Sequence, residues 1–424
     1  MLLLLLVALW GVMAASDWQC SNPQTSGVHE RVLECQLTDT VVPTGSLTVI
    51  GQSGSLTVLR ANASKRHFEI YGYKLTLKWL RLTGGDITDL ADNIYPHGLG
   101  GAVMVRNDGA SLVAESCAFV GNKAVFGGSI FGSEITLLNS NITGSEATES
   151  GGGCYCSRGT ACSFTNVLIQ SNTASIGGGV YILKTNFRMA GSTVEANTAE
   201  NGGGIYIDYS TAYINETEFY KNTAEKFGGA IHMYGTVHNG PSILDMRRSI
   251  VEENKQTSTD GNAAFGGGGL FVTFNSSAVL RETSLLRNVA HGNSADHGHQ
   301  IMTHRADSPY ASSLAVALIN SHVENCCTKG NFYGYNDDTA SGSVANYIGT
   351  NTCESSPSVC AASPFTGTCT DRGNPRLGVL CNYGAELSCP YTKFNVTEAA
   401  LPPALTYCSR CIPASSGTLE RRVD

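Results

Sequence analysis

An asparagine, then a block of glycines, then alternating apolar residues: this sequence of features recurs along the chain at nearly even spacing. The copies include "FVGNKAVFGGSIF" from Phe119, "IQSNTASIGGGVYI" from Ile169, "VEANTAENGGGIYI" from Val194 and "FYKNTAEKFGGAIHM" from Phe219. The recurring positions are Asn122, Asn172, Asn197, Asn222, Asn254 and Asn288, with Ser145 filling one place. Successive steps are 23, 27, 25, 25, 32 and 34 residues. A repeat of this length is one supersecondary unit that cannot bury its apolar side alone, so copies must stack.

Alternation after the glycines has the period of a strand, and no segment carries a helical apolar stripe. About 25 residues suits one turn of a parallel β-helix, with adjacent turns roughly 4.8 Å apart. The fold class expected is therefore all-β, a three-sided solenoid with three short strands per turn. Glycine serves corners that need a positive φ or a close backbone approach. Asparagine tolerates a left-handed corner. Its amide also donates and accepts, so equivalent asparagines on successive turns can form a ladder. That column is read as structural.

The first residues and the cysteine content lead to the expectation of a secreted or cell-surface protein. Residues 1–15, "MLLLLLVALWGVMAA", read as a secretory signal, with an apolar run too short to span a bilayer comfortably. No later stretch looks transmembrane. Fifteen cysteines fit an oxidising compartment, and seven of them crowd the tail from Cys353 to Cys411. Pairing cannot be deduced from spacing. Sequons at Asn62, Asn141, Asn215, Asn275 and Asn395 mark exposed positions if the host glycosylates. A net charge of −8 argues against a nucleic-acid surface.

The Phe-x-x-Asn and Gly-Gly-Ala-Ile pairs resemble the repeats of the polymorphic outer membrane protein family. They stand here as "FVGN" at 119–122, "FYKN" at 219–222, "GGAV" at 100–103 and "GGAI" at 228–231. The stretch "KLTLKWLRLTGGD" (74–86) is similar to the leading coil of right-handed, pectin-lyase-like β-helices. The resemblance covers about residues 45–325 and implies a right-handed parallel β-helix in a surface-exposed protein, several family members being adhesins. In place of the family's usual autotransporter barrel stands a cysteine-rich tail. Its "CSRCIPASSGT" end (408–418) looks like the start of cysteine-rich modules on eukaryotic surface proteins.

Aligning the units on their glycines gives three columns. The first, from Val103 through Ile130, Cys154, Val180 and Ile205, and the third, including Cys156, Ile182 and Ile207, should point inward. The middle column then points outward to solvent, and it carries rings: Phe131, Tyr155, Tyr181, Tyr206, His232 and Phe271. Such a stripe could stack on sugar faces or anchor a protein partner, since exposed apolar patches mark interaction sites. It could equally serve strand pairing, or lie under a long insertion.

Other candidates are weaker. His297 and His299, at i and i+2 beside Asp296, could bind a metal, but match no specific motif. His299 falls where other turns have their second glycine, which favours a corner role. Cys154 or Cys156 could pair with Cys162 or Cys117. No cofactor or metal is expected. An enzyme acting on polysaccharide is the rival reading. Its nearest carboxylate pair, Asp337 and Asp338, lies past the regular coils, Asp208 looks isolated, and Glu216 and Glu218 suit a solvated edge. A shared fold does not supply a site.

The expected layout is a signal at 1–15, an N-terminal cap at 16–44 pinned by Cys20 and Cys35, the β-helix at 45–325 and a disulfide-stapled tail at 326–424. The expected role is a secreted or cell-surface binding, adhesion or structural module without catalysis, its partner a glycan or a cell-surface protein.

Overall fold

The computed structural model describes residues 18–88, 98–106, 109–236, 239–259, 265–273, 275–291 and 299–304, followed by strand segments between 316 and 381. The expected signal, Asn395, Asp296, His297, the Asp337–Asp338 pair and most of the tail lie outside the described residues.

The chain winds as a parallel β-helix. One turn comprises the strands Val180–Leu183, Asn186–Ala190, Thr193–Glu195 and Thr198–Asn201, and the next begins with Ile205–Asp208. Equivalent residues pair one turn apart, Val180 with Ile205, Tyr181 with Tyr206, Val194 with Phe219 and Thr198 with Thr223. Three parallel sheets of 20, 12 and 7 strands result. The expectation of three strands per turn needs correction: there are four, because the first two both join the largest sheet. The long strand Cys154–Thr165 shows why, since it pairs with Val180–Leu183 at one end and with Asn186–Ala190 at the other.

Alternation decides what is inside. The first and third columns, from Val103 to Ile301 and from Val105 to Val272, belong to one continuous apolar core. So does the residue three places before each asparagine: Phe119, Ile169, Val194, Phe219, Val251 and Leu285 are all fully buried. Each side chain of this size contributes about 1.5–3 kcal/mol when wholly removed from water.

The asparagines stack on the inside of a corner. Asn172 Nδ2 donates to Asn197 Oδ1 at 2.9 Å, Asn197 to Asn222 at 2.9 Å, Asn222 to Asn254 at 2.9 Å, and Asn254 to Asn288 at 2.9 Å. Each second Nδ2 hydrogen goes to a carbonyl of the previous turn, as from Asn197 to Ile169 at 2.9 Å. Each Oδ1 also accepts the backbone N–H of the asparagine above, 2.9 Å for Asn172 on Asn197. The amide's donors and acceptor are thus used in full. Ser145 continues the row by donating its N–H to Asn172 Oδ1, and Gln300 closes the far end, its Oε1 2.6 Å from Asn288 Nδ2.

One detail differs from expectation. The left-handed residue at this corner is the one before the asparagine: Ser171, Ala196, Lys221, Glu253 and Arg287 have φ of 54°, 53°, 53°, 53° and 49°. The amide can then turn inward instead of serving its own backbone. The glycines divide their work. Gly177 has a φ of 65°, while a Cβ on Gly178 would lie 2.5 Å from the carbonyl oxygens of Gly203 and Thr198.

Both boundaries of the solenoid lie farther out than expected. Gly27–His29 already pairs with the strand at Leu47, and Cys35–Gln36 with Leu59 and Arg60, so most of the expected cap is the first turn. Trp18 closes that end against Phe68 and His29, and Cys20 is bonded to Cys35. At the other end Phe332–Tyr335, Asn346–Ile348 and Thr352–Glu354 extend the ladders past residue 325.

Two stability outcomes follow. Asn197→Ala strands buried partners on both neighbouring turns, at about 1–3 kcal/mol for each unsatisfied group, and should lower stability by at least about 3 kcal/mol in denaturant titration. Ala196→Gly relieves a left-handed residue and should raise stability by about 1 kcal/mol in the same titration.

Candidate functional site

The middle column stacks as a row of rings. Centroids are 4.9 Å apart for Phe131 and Tyr155, 4.7 Å for Tyr155 and Tyr181, 5.3 Å for Tyr181 and Tyr206, 4.5 Å for Tyr206 and His232, and 5.1 Å for His232 and Phe271. Tyr155, Tyr181 and Tyr206 form a cluster of their own, separate from the main core, so the column does face away from the interior.

The expectation that it lies open to solvent is corrected. Tyr155, Tyr181 and Tyr206 are each 9% exposed, His232 4% and Phe271 1%, while Phe131 is half-buried. Two flanking rows rise beside the rings: Phe126 and Ile176 on one side, Leu183 and Tyr234 on the other. The end of the 255–265 insertion also reaches the wall, with Phe265 edge-on to Phe227, which in turn packs on His232. Ring faces are spent on each other, both faces of Tyr181 being covered by Tyr155 and Tyr206. A sugar therefore finds no free face at Tyr181. What the tyrosines offer is their hydroxyl edges: neither Tyr155 nor Tyr206 has its hydroxyl among the buried unpartnered atoms.

Asp208 is not isolated. It stands two residues after Tyr206 on the same outward face and accepts a 2.5 Å hydrogen bond from the Tyr181 hydroxyl, one turn earlier. Burial raises its carboxyl above the usual range, against the Tyr181 hydrogen bond and the exposed Lys184, which lower it. Burial likewise raises the phenols of Tyr155, Tyr181 and Tyr206, with the Asp208 charge adding to it. His232 is pushed down to about 3 by burial alone.

Orphaned polar atoms gather on this wall. Asp208 Oδ1, Asn201 Oδ1 and both ring nitrogens of His232 are buried without a hydrogen-bond partner. Native proteins leave few such atoms, and each calls for a physical reason. Asn201 belongs to the flanking row that holds Ile176 and Phe227. The sequence signal for Asp208 was present in the period-two alternation, which puts positions 206 and 208 on one face. What could not be read was the height of the flanking rows.

The other candidates resolve into scaffold. Cys156 is bonded to Cys162, while Cys154, whose Sγ lies 3.9 Å from that of Cys156, and Cys117 remain free and buried. His299 takes the expected corner role, its Nδ1 accepting the Ala290 N–H at 2.9 Å. Among the described residues no group of three His, Cys, Asp or Glu is placed to hold a metal. Glu216 pairs with Arg248 at 2.9 Å on the surface. Of the sequons, Asn141 is exposed and Asn62, Asn215 and Asn275 are half-buried.

Residues 216–233 match the Chlamydia polymorphic membrane protein repeat. The matched polymorphic membrane protein repeat contains the ladder residue Asn222, the corner Gly228 and the wall residue His232, so it coincides with the structural repeat of the solenoid. No curated protein and no solved structure matches the chain.

Acid should destabilise the fold through His232. The folded-state pKa of His232 lies below the roughly 6.5 of an unfolded histidine, so the unfolded chain takes the proton first. The contribution is whole above about 6.5 and is lost as pH falls toward about 3. His67, held near 4 by burial, acts the same way. His232→Phe, which keeps a ring between Tyr206 and Phe271, should flatten the fall of melting temperature between pH 7 and 4 (a roughly one-histidine effect).

Proposed function

We propose that the chain is a non-catalytic binding or adhesion module, secreted or displayed at a cell surface, whose partner is a glycan or a surface protein. The observation that carries this reading is the polymorphic membrane protein repeat at 216–233, set in a parallel β-helix. A rigid solenoid presents long, evenly spaced walls, and loops inserted between turns build those walls up. The ring column, with Phe131, Tyr155, Tyr181, Tyr206, His232 and Phe271, is the wall we assign to the partner.

The polysaccharide-cleaving alternative has less to stand on. The groups that bear on the Asp208 charge are Tyr181 and Lys184. A glycosidase needs a second carboxylate across a cleft, and the nearest pair in the sequence, Asp337 and Asp338, lies outside the described residues.

Binding without turnover is the expected outcome. Labelled full-length protein should bind cells saturably in flow cytometry. The same preparation, incubated with mixed polysaccharides, should release neither reducing ends nor unsaturated products. Product accumulating in proportion to protein would replace this reading with an enzyme.

A further inference from the structure

We propose that the row Tyr155, Tyr181, Tyr206 with Asp208 is an edge-on binding site for a neutral linear glycan lying along the solenoid axis. This rests on the surface-binding reading above and names the ligand class and the contact atoms. Recognition here runs through hydroxyl edges and not through stacking, because the faces of Tyr181 are covered by its neighbours.

Three observations lead to this class. First, the row mixes donors and acceptors. The phenol edges of Tyr155 and Tyr206 can do both, while Asp208 offers an oxygen that accepts nothing in the structure. A sugar hydroxyl both donates and accepts, so it can take a phenol hydrogen and give its own to Asp208 Oδ1. Second, the rings repeat at 4.7 and 5.3 Å, one per turn, and one residue of an extended glycan is about as long as one turn is high. Third, the wall carries both signs. Asp208 stands on it and the exposed Lys184 lies beside it, its Nζ 5.3 Å from the Tyr209 ring, so neither a cationic nor an acidic ligand meets a surface of one charge. Binding places a hydroxyl on the orphaned Oδ1 and sets sugar C–H groups against Leu183 and Ile176.

Full-length protein run through native gels containing glucomannan, xyloglucan, galactomannan or polygalacturonate tests the site. At least one neutral glycan should retard it, and polygalacturonate should not. Asp208→Asn keeps the shape and, with its amide oxygen toward the Tyr181 hydroxyl, puts an N–H donor where the orphaned acceptor was. The Tyr155→Phe/Tyr206→Phe double variant keeps every ring and removes the two hydroxyls. Each should raise the dissociation constant for that glycan at least tenfold at an unchanged melting temperature. If Asp208→Asn fails to fold, the phenylalanine pair decides. Equal retardation of the folded variants, or retardation by polygalacturonate alone, overturns the proposal. So does cell binding with no neutral glycan bound, although the surface-binding reading then stands. Absence of binding to both cells and glycans overturns the two together.

Discussion

A buried primary amide has two hydrogens and an oxygen to satisfy, and leaving any of them unpaired costs about 1–3 kcal/mol. In this chain the amide of Asn197 is satisfied only by what the turns on either side provide: Ile169 O and Asn172 from before, Asn222 from after. The amide therefore sets the height and rotation of each turn relative to the next. Everything stacked elsewhere in the cross-section inherits that register, including the apolar columns inside and the rings outside. The left-handed residue before each asparagine is the local strain this arrangement carries, and the row of hydrogen bonds offsets it.

The outer wall shows what register does to a surface. Rings on consecutive turns meet, stacked at Tyr181–Tyr206 and tilted or edge-on elsewhere, because the turns cannot slide, and a carboxylate one turn away from Tyr181 falls within hydrogen-bond reach of it. A surface patch assembled from sequence positions 155, 181, 206 and 208 is thus as fixed as the core. The same rigidity leaves Asp208, Asn201 and His232 with polar atoms that the protein itself does not satisfy. Other buried atoms without a partner, such as His67 Nδ1, Gln256 Oε1 and Ser276 Oγ, are scattered singly, whereas these belong to one wall. The polymorphic membrane protein repeat includes part of that face, since His232 lies within the matched residues.

The fold was legible because its signals repeat. The spacing of Asn122 to Asn288, the glycines and the alternating columns each recur on successive turns, so the inward columns and the ladder from Asn172 to Asn288 could be placed residue by residue; Asn122 lies beyond the break at Ser145 and bonds to Gly85, Leu82 and Ser129, not to an asparagine. Asn172, Asn197 and Asn222 do stand in a row. The site was legible only in outline. Alternation turned Tyr155, Tyr181 and Tyr206 away from the core, but exposure depends on how high Phe126, Ile176, Leu183 and Tyr234 rise beside them, which is a matter of side-chain packing across turns. Asp208 was passed over because its partner Tyr181 is distant in sequence and near only through the register. The solenoid's ends were misplaced for the opposite reason: Gly27–His29 and Phe332–Tyr335 pair in register with neighbouring strands but lie in stretches of sequence without the repeat's asparagine and glycine block.

The most direct measurement is hydrogen exchange of the asparagine side-chain amides, followed by NMR in the intact protein. If the amides tie the turns together, the Nδ2 hydrogens of Asn172, Asn197, Asn222 and Asn254 should exchange only through global unfolding, as slowly as the core backbone of Val180 and Ile205. Exchange of those hydrogens within seconds, while the backbone stays protected, would show that the turns hold their register without the ladder and would contradict the account.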